Sequence, residues 1–244
     1  MIELYGMGSP NVTKIAIMLE EAGLACQKRH VSVMRGQNFT AEFLALNPVA
    51  KVPVLVDTMA DGTKQVLFES GAILTYLGDT YAPRLLPKSG PDRWEALKWL
   101  NVQVAWVGPM LGQWNHFLIT PSEQDTYGWR RYRDQARNIY RVLDQRLGEC
   151  PWLAGDAYSV ADIATFPWAD YVERHGFSWN DYPALREWKL RLAKRPAVVA
   201  ALKSMEDWQE DDLSMLQGAT PEELDRFFGR TTPGTQTDFS TMAR

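Results

Sequence analysis

The residues best placed to do chemistry near the start of the chain are Ser9 and Asn11. They sit in the segment Gly6-Met7-Gly8-Ser9-Pro10-Asn11, between a strand-like opening and the first helical pattern. Ligands of open α/β sheets collect at the carboxyl ends of strands, where helix N-termini also aim their N–H groups. A redox site of the βαβ type would carry Cys-x-x-Cys here, and this loop holds no cysteine. Ser9 and Asn11 can each donate a hydrogen bond, but neither is a good nucleophile without a nearby base. Two readings follow. One of the pair simply caps the helix, the default for a lone Ser or Asn. Alternatively, both stabilise an anion that a ligand brings in, such as a thiolate.

Two further segments could recognise a small peptide. In Asn47-Pro48-Val49-Ala50-Lys51-Val52-Pro53, Pro53 stands where a strand begins, a position that tolerates proline. A cis bond before Pro53 would present the N–H and C=O of Val52 to an extended ligand, although most X-Pro bonds are trans. In Phe68-Glu69-Ser70-Gly71 a strand ends on an acid and a Ser opens a helix. Ser70 with the helix N-terminus can receive a carboxylate, and Glu69 an ammonium. Ser70 as a plain N-cap is the competing reading.

The elements that must hold these residues follow from periodicity. Residues 2–6 read as a strand, and 11–22 as a helix with Ile15, Met18, Leu19 and Ala22 on one face, ended by Gly23. Val31 and Val33 mark a second strand, 41–46 a short helix, 52–56 a third strand and 65–68 a fourth. A helix follows from Ser70 to about Asp79. Strands alternating with helices predict an α/β domain over 1–81 with a partly parallel sheet. Residues 82–91, with Pro83, Pro87 and Pro91, read as a linker. An all-helical domain is expected over 92–228, with helices at 92–117, 122–147, 159–175, 183–194, 196–208 and 222–228. Ser159 and Asp162 have the spacing of a capping box, a folding device rather than a chemical one. Residues 229–244, rich in Thr, Gly, Ser and Pro, read as an irregular tail.

Composition excludes several classes. The 244 residues are 45% hydrophobic and 23% charged, an ordinary globular balance. A net charge of -4 argues against nucleic acid, whose phosphates call for clustered Lys and Arg. No window approaches the roughly 18 apolar residues of a spanning helix, and no signal-like start is present. Cys26 and Cys150 form neither a metal pair nor a disulfide framework, which fits a cytoplasmic, reduced setting. Cys26 reads as a small buried hydrophobe. His30, His116 and His175 lie on different elements without ligand spacing, so no metal is expected.

Taken together, the motifs resemble those of glutathione transferases over residues 1 to about 205. They are most similar to the nu class, also described as bacterial disulfide-bond oxidoreductases. That class shows Thr-Pro-Asn, Gly-Gln-Phe and Asn-Pro-x-x-Lys-Ile-Pro, against Ser9-Pro10-Asn11, Gly36-Gln37-Asn38-Phe39 and Asn47-Pro48-x-x-Lys51-Val52-Pro53 here. Phe-Glu-Ser-Gly-Ala-Ile-Leu is unchanged from Phe68 to Leu74, and the segment 108–113 and Arg131-Tyr132 are also similar. The resemblance implies the glutathione transferase fold, with glutathione contacts from Asn11, Gln37, Lys51, Val52, Pro53, Glu69, Ser70 and Arg131. It also implies a cis Val52-Pro53 bond, one or two glutathione molecules per site, and a homodimer. Ser9 replaces the usual Thr, keeping the hydroxyl and losing a methyl group.

On that basis Ser9 and Asn11 are the catalytic pair, holding the glutathione sulfur as a thiolate that attacks a disulfide or an electrophilic carbon. Two alternatives stand. One is cleavage of lignin-type β-aryl ethers, with Trp106, Trp114, Trp168 and Tyr171 lining an aromatic pocket, although aromatics at helical spacing are more often core. The other is a non-catalytic glutathione-fold binding protein.

Overall fold

The computed structural model describes residues 1–229. Packing divides the described residues into two units, one formed by Met1–Leu77 with residues 196–229, the other by Gly78–Arg195.

The first unit is built on a four-stranded sheet. Its elements are β1 (Ile2–Gly6), α1 (Pro10–Ala22), β2 (Cys26–His30), α2 (Ala41–Leu46), β3 (Val54–Thr58), β4 (Lys64–Phe68) and α3 (Ser70–Thr80). The strand order is β2-β1-β3-β4. β1 runs parallel to β2, while the β1–β3 and β3–β4 pairs are antiparallel. Leu4, Val54 and Leu55 are wholly buried, as are Ile15, Ile17 and Met18 of α1 and Ile73, Leu74 and Leu77 of α3. Each such aliphatic side chain stabilises the fold by about 1.5–3 kcal/mol. Gly23 ends α1 in the left-handed conformation (φ 68°) that glycine adopts without strain.

Two strands differ from the sequence reading. The second runs over Cys26–His30, not through Val31 and Val33. Its residues, Cys-Gln-Lys-Arg-His, carry no apolar alternation because it is an edge strand with half its side chains in solvent. Val31 instead joins the core beyond the strand, against Phe43, Val54 and Val56. The third strand begins at Val54, after the cis Val52-Pro53 bond.

Three further helices complete this unit: α9 (Pro196–Lys203), α10 (Glu206–Gln217) and α11 (Pro221–Phe228). The sequence pattern of 196–208 predicts one helix, and the chain breaks at Ser204 and Met205 into two. α9 packs along α1 and buries Val198 and Ala201. The expected boundaries at 81 and 92 separate sequence with strands from sequence without them. Packing instead groups α9–α11 with the sheet, because an amphipathic pattern says that a face is buried but not against what. Beyond Gly229, the expected tail lies outside the described residues.

The second unit is helical, with α4 (Pro91–Val102), α5 (Gly108–Leu118), α6 (Tyr127–Glu149), α7 (Val160–Ala169) and α8 (Pro183–Ala193). The single helix expected over 92–117 is continuous but widens into a π-helical stretch at Gln103–Val107. Pro109 lacks the N–H that would bond back to Ala105, and a widened turn is a common accommodation of such a gap. The capping box forms as expected. Ser159 Oγ accepts from Ala161 N at 3.2 Å, and Asp162 Oδ2 accepts from Ser159 N at 3.1 Å. Of the expected linker 82–91, residues 82–90 have no regular structure and Pro91 opens α4, yet Leu85 and Leu86 are buried and the Leu85 carbonyl accepts from Val160 N.

His175 sits at the centre of this unit, 2% exposed. Its Nε2–H donates to Asn115 Oδ1 at 3.0 Å, which leaves Nδ1 to accept from the Tyr140 hydroxyl at 2.6 Å. Burial, helped by Arg174, pushes its pKa down to about 3. The unfolded chain therefore binds the extra proton first, near pH 6.5. The stability this neutral imidazole contributes is full above that pH and is lost as pH falls towards 3, by about 1.4 kcal/mol per pH unit. Urea unfolding at pH 6.5 and 4.5 should show the wild type losing about 2 kcal/mol more than His175→Gln. Equal losses would show that His175 is not the titrating group.

Candidate functional site

Ser9 occupies the N-cap position of α1 with extended backbone (φ -130°, ψ 154°), yet its side chain makes no capping hydrogen bond. Its carbonyl does the local work, accepting from Val12 N, Thr13 N and the Thr13 hydroxyl at 2.9–3.0 Å. The capping reading of Ser9 is thereby set aside, and its hydroxyl stays out of the helix. The backbone N–H of Ser9 is used by Met7 O at 2.8 Å, and that of Gly8 by the Asp212 carboxylate at 2.6 Å. The side-chain donors that this loop carries are those of Ser9 and Asn11. Gly6 is required by packing, since a Cβ there would lie 2.5 Å from the Val12 side chain.

The segment before β3 is braced by two buried asparagines. Asn47 Nδ2 donates to Lys51 O at 2.7 Å while its Oδ1 accepts from Val49 N at 2.9 Å. Asn38 Nδ2 donates to Ala50 O at 2.9 Å. Ala50, with φ 57°, is held in the left-handed region between them. The result is a folded loop from 47 to 53 that leaves Lys51 exposed, with Val52 and the cis Pro53 outside the strand ladder. Gln37 is also exposed, and its Oε1 accepts from Ser32 N at 2.8 Å.

Glu69 has φ 66°, unusual for a residue with a Cβ, and its carbonyl accepts from Ile73 N. Glu69 thus takes the capping place, and Ser70 is the first helical residue, buried at 7% exposure. The plain N-cap reading of Ser70 does not hold. Beneath them Lys14 is almost fully buried, its pKa pushed down to about 7 by desolvation, with the negative charge of Glu69 opposing that shift.

Ser9, Asn11, Gln37, Lys51, Val52, Pro53, Glu69 and Ser70 all belong to the first unit. Arg131 lies on α6 of the second, exposed. The aromatics of the second unit are largely core. Trp114 is 1% exposed and donates Nε1–H to His175 O, Trp168 is 7% exposed, and Tyr171 packs edge-on to Trp168. Trp106 is half-buried. Burial pushes the pKa of Cys26 up to about 11 and also raises that of Cys150. Among the described residues no cluster of three or more His, Cys, Asp or Glu side chains could hold a metal ion.

Comparison with known proteins accounts for this arrangement. Residues 1–79 match the glutathione S-transferase N-terminal domain and residues 110–196 the glutathione S-transferase C-terminal domain. The disulfide-bond oxidoreductase YfcG of Escherichia coli is 41% identical over 204 residues, covering 83% of this chain and 94% of the relative. The chain belongs to the glutathione transferase family. Within it, the chain is closely related to the nu-class oxidoreductases of the YfcG type. Its thioredoxin-like first domain and all-α second domain are those of the glutathione transferase fold. A family member from Pseudomonas fluorescens with two glutathione bound is similar at TM-score 0.76 and 36% identity, over 82% of this chain and 92% of that one. A glutathione transferase from Burkholderia graminis with two glutathione molecules per subunit is similar at TM-score 0.77 and 37% identity, over 83% and 88%.

Sequence reasoning singled out none of Asn38, Asn47, His30 and Asp212, which bond to or beside the loops that carry the candidate residues. The asparagines stood inside the quoted motifs, and burial of a polar side chain beside an apolar run was their available signal. Nothing in the sequence ties Asp212 to a loop some two hundred residues earlier.

Proposed function

We propose that this chain is an enzyme that binds glutathione, holds its sulfur as a thiolate and uses it in thiol–disulfide exchange. The observation that carries the reading is the Ser9 hydroxyl, placed at the start of α1 without serving the helix. Ser9 and Asn11 donate to the sulfur, and the N-terminus of α1 adds its positive end. Val52 holds the peptide backbone, Ser70 at the start of α3 receives the γ-glutamyl carboxylate, and Glu69 its ammonium. Gln37 and Lys51 supply outer polar contacts. Bound glutathione brings the nucleophilic sulfur that both protein cysteines, with raised pKa values, do not offer. Attack on a disulfide forms one S–S bond and releases the other sulfur as a thiolate, and a second glutathione then resolves the mixed disulfide. The names of the relatives, a disulfide-bond oxidoreductase and structures with two glutathione molecules, support this choice.

The β-ether reading draws less support, because Trp114 and Trp168 are spent in the core. Exposed Phe39, Leu44 and Val49 of the first unit support a homodimer, and two unpaired cysteines support a cytoplasmic setting. No helix among the described residues is long and apolar enough to cross a membrane. Hydroxyethyl disulfide with glutathione is the deciding assay, and turnover is expected. A protein that binds glutathione by calorimetry yet turns over neither this disulfide nor a guaiacyl β-ether dimer would be a binding module instead. Light scattering on the same sample should give about twice the 27.8 kDa of one chain.

A further inference from the structure

The C-terminal helices of the first unit lie beyond the segments that match the family, whose second match ends at residue 196. They nevertheless contact the loops on which the proposed glutathione residues stand. Asp212 of α10 is 6% exposed and divides its two oxygens between two partners. Oδ2 accepts from Gly8 N at 2.6 Å, one residue before Ser9. Oδ1 accepts from His30 Nε2 at 2.9 Å, at the end of β2, and the His30 ring packs on Trp208 of α10 with centroids 5.4 Å apart.

Packing tells the same story independently. A Cβ on Gly8 would lie 2.7 Å from Cα and 2.9 Å from N of Gln209, so the backbone of α10 itself rests on this glycine. The following loop is gripped too. Ser32 Oγ donates to Met215 Sδ at 3.1 Å, and Arg226 Nη2 of α11 donates to Met34 O at 3.1 Å. Gln37 stands three residues beyond Met34, and Gly36 beside it lies against the Arg226 guanidinium.

We propose that Asp212 is a positioning residue for the thiolate site, fixing the 6–11 loop through Gly8 N so that the Ser9 and Asn11 side chains converge on the sulfur. This rests on the thiolate reading of Ser9 and Asn11. Both its oxygens are engaged, one by a backbone N–H and one by imidazole, so the carboxylate ties the 6–11 loop to the end of β2. A loop of Gly, Met and Gly has little of its own to hold it. Loosening it would let the two donors wander over distances at which a hydrogen bond is lost.

The test is an ultraviolet pH titration of bound glutathione, with kcat and KM for hydroxyethyl disulfide reduction, on three variants. Asp212→Ala should raise the thiolate midpoint by about one unit and lower kcat about tenfold, with a smaller change in KM for glutathione. Asp212→Asn keeps an acceptor for Gly8 N and should stay within about twofold of wild type. Asp212→Glu keeps the charge but moves the oxygens by a methylene, and should behave like Ala. If the Ala variant fails to fold, the Asn and Glu variants still decide. Wild-type titration in both would overturn the proposal. A wild-type enzyme without a lowered midpoint would instead overturn the thiolate reading itself. The two failures are therefore separable.

Discussion

Replacing Ser9 and Asn11 together by Ala should cut the thiolate fraction of bound glutathione at pH 6.5 from about half to about two per cent. A free thiol titrates near 8.5, and lowering that by about two units corresponds to roughly 2.7 kcal/mol in favour of the anion. Two directed hydrogen bonds in a partly dry site can supply that much, at about 1.5–3 kcal/mol for each bond to a charged group. The α1 N-terminus survives the substitution, so a small part of the shift should remain. The measurement is the absorbance of the thiolate across pH in the binary complex, with turnover falling in parallel. A variant that titrates like wild type would remove both residues from the mechanism. Single substitutions rank the donors, with the larger step marking the principal one. Stability gives an independent check, because the Ser9 hydroxyl makes no cap bond. Ser9→Ala should then unfold within about 0.5 kcal/mol of wild type, whereas losing a true Ser cap costs about 1 kcal/mol.

The second large effect lies in the helical unit and concerns folding alone. Asp162 is wholly buried and accepts four hydrogen bonds. Its Oδ1 takes Leu153 N at 3.0 Å and Trp188 Nε1 at 2.9 Å, and its Oδ2 takes Ser159 N at 3.1 Å and Ser159 Oγ at 3.2 Å. One carboxylate thereby joins the start of α7, the turn before it and α8. Asp162→Ala leaves these donors buried without an acceptor, at about 1–3 kcal/mol each before relaxation. A net loss of about 4 kcal/mol is expected, which is large against the total stability of a typical domain. Asp162→Asn restores an oxygen for Leu153 and Trp188 but turns an amide N–H towards Ser159 N, so it should lose about half as much. Urea unfolding followed by circular dichroism reads both. Equal stability of the Ala variant and wild type would mean that the network is not what closes this unit.

Much of the fold was legible because its signals are local. Alternation, Gly23 and the Ser159–Asp162 spacing placed β1, α1 and the start of α7. Where the sequence reading failed, a nonlocal contact decided. β2 is polar because it lies at a sheet edge, so nothing in Cys-Gln-Lys-Arg-His announces a strand. Val31 and Val33 drew attention instead, being apolar for the sake of the core beyond it. The cis bond at Pro53 followed from the family resemblance, since proline alone favours trans. Ser9 and Ser70 could each have been a helix cap. Only the coordinates separate a hydroxyl that caps from one that does not. The grip of Asp212 on Gly8 depends on α10 returning to the sheet, which no local pattern encodes.

The split composition of the first unit has a consequence for how the chain is made. Translation delivers β1 and the Ser9 loop first, but α9 and α10 leave the ribosome only after the whole helical unit has been synthesised. The helical unit can close on its own contacts while the sheet waits for α9 along α1 and for Asp212 on Gly8. The strand β1, made well before α9, is therefore finished only after it. A nascent chain stalled near residue 195 would carry every proposed glutathione residue and still lack the helices that set their loops. Glutathione-dependent turnover should thus appear only once α10 has been synthesised.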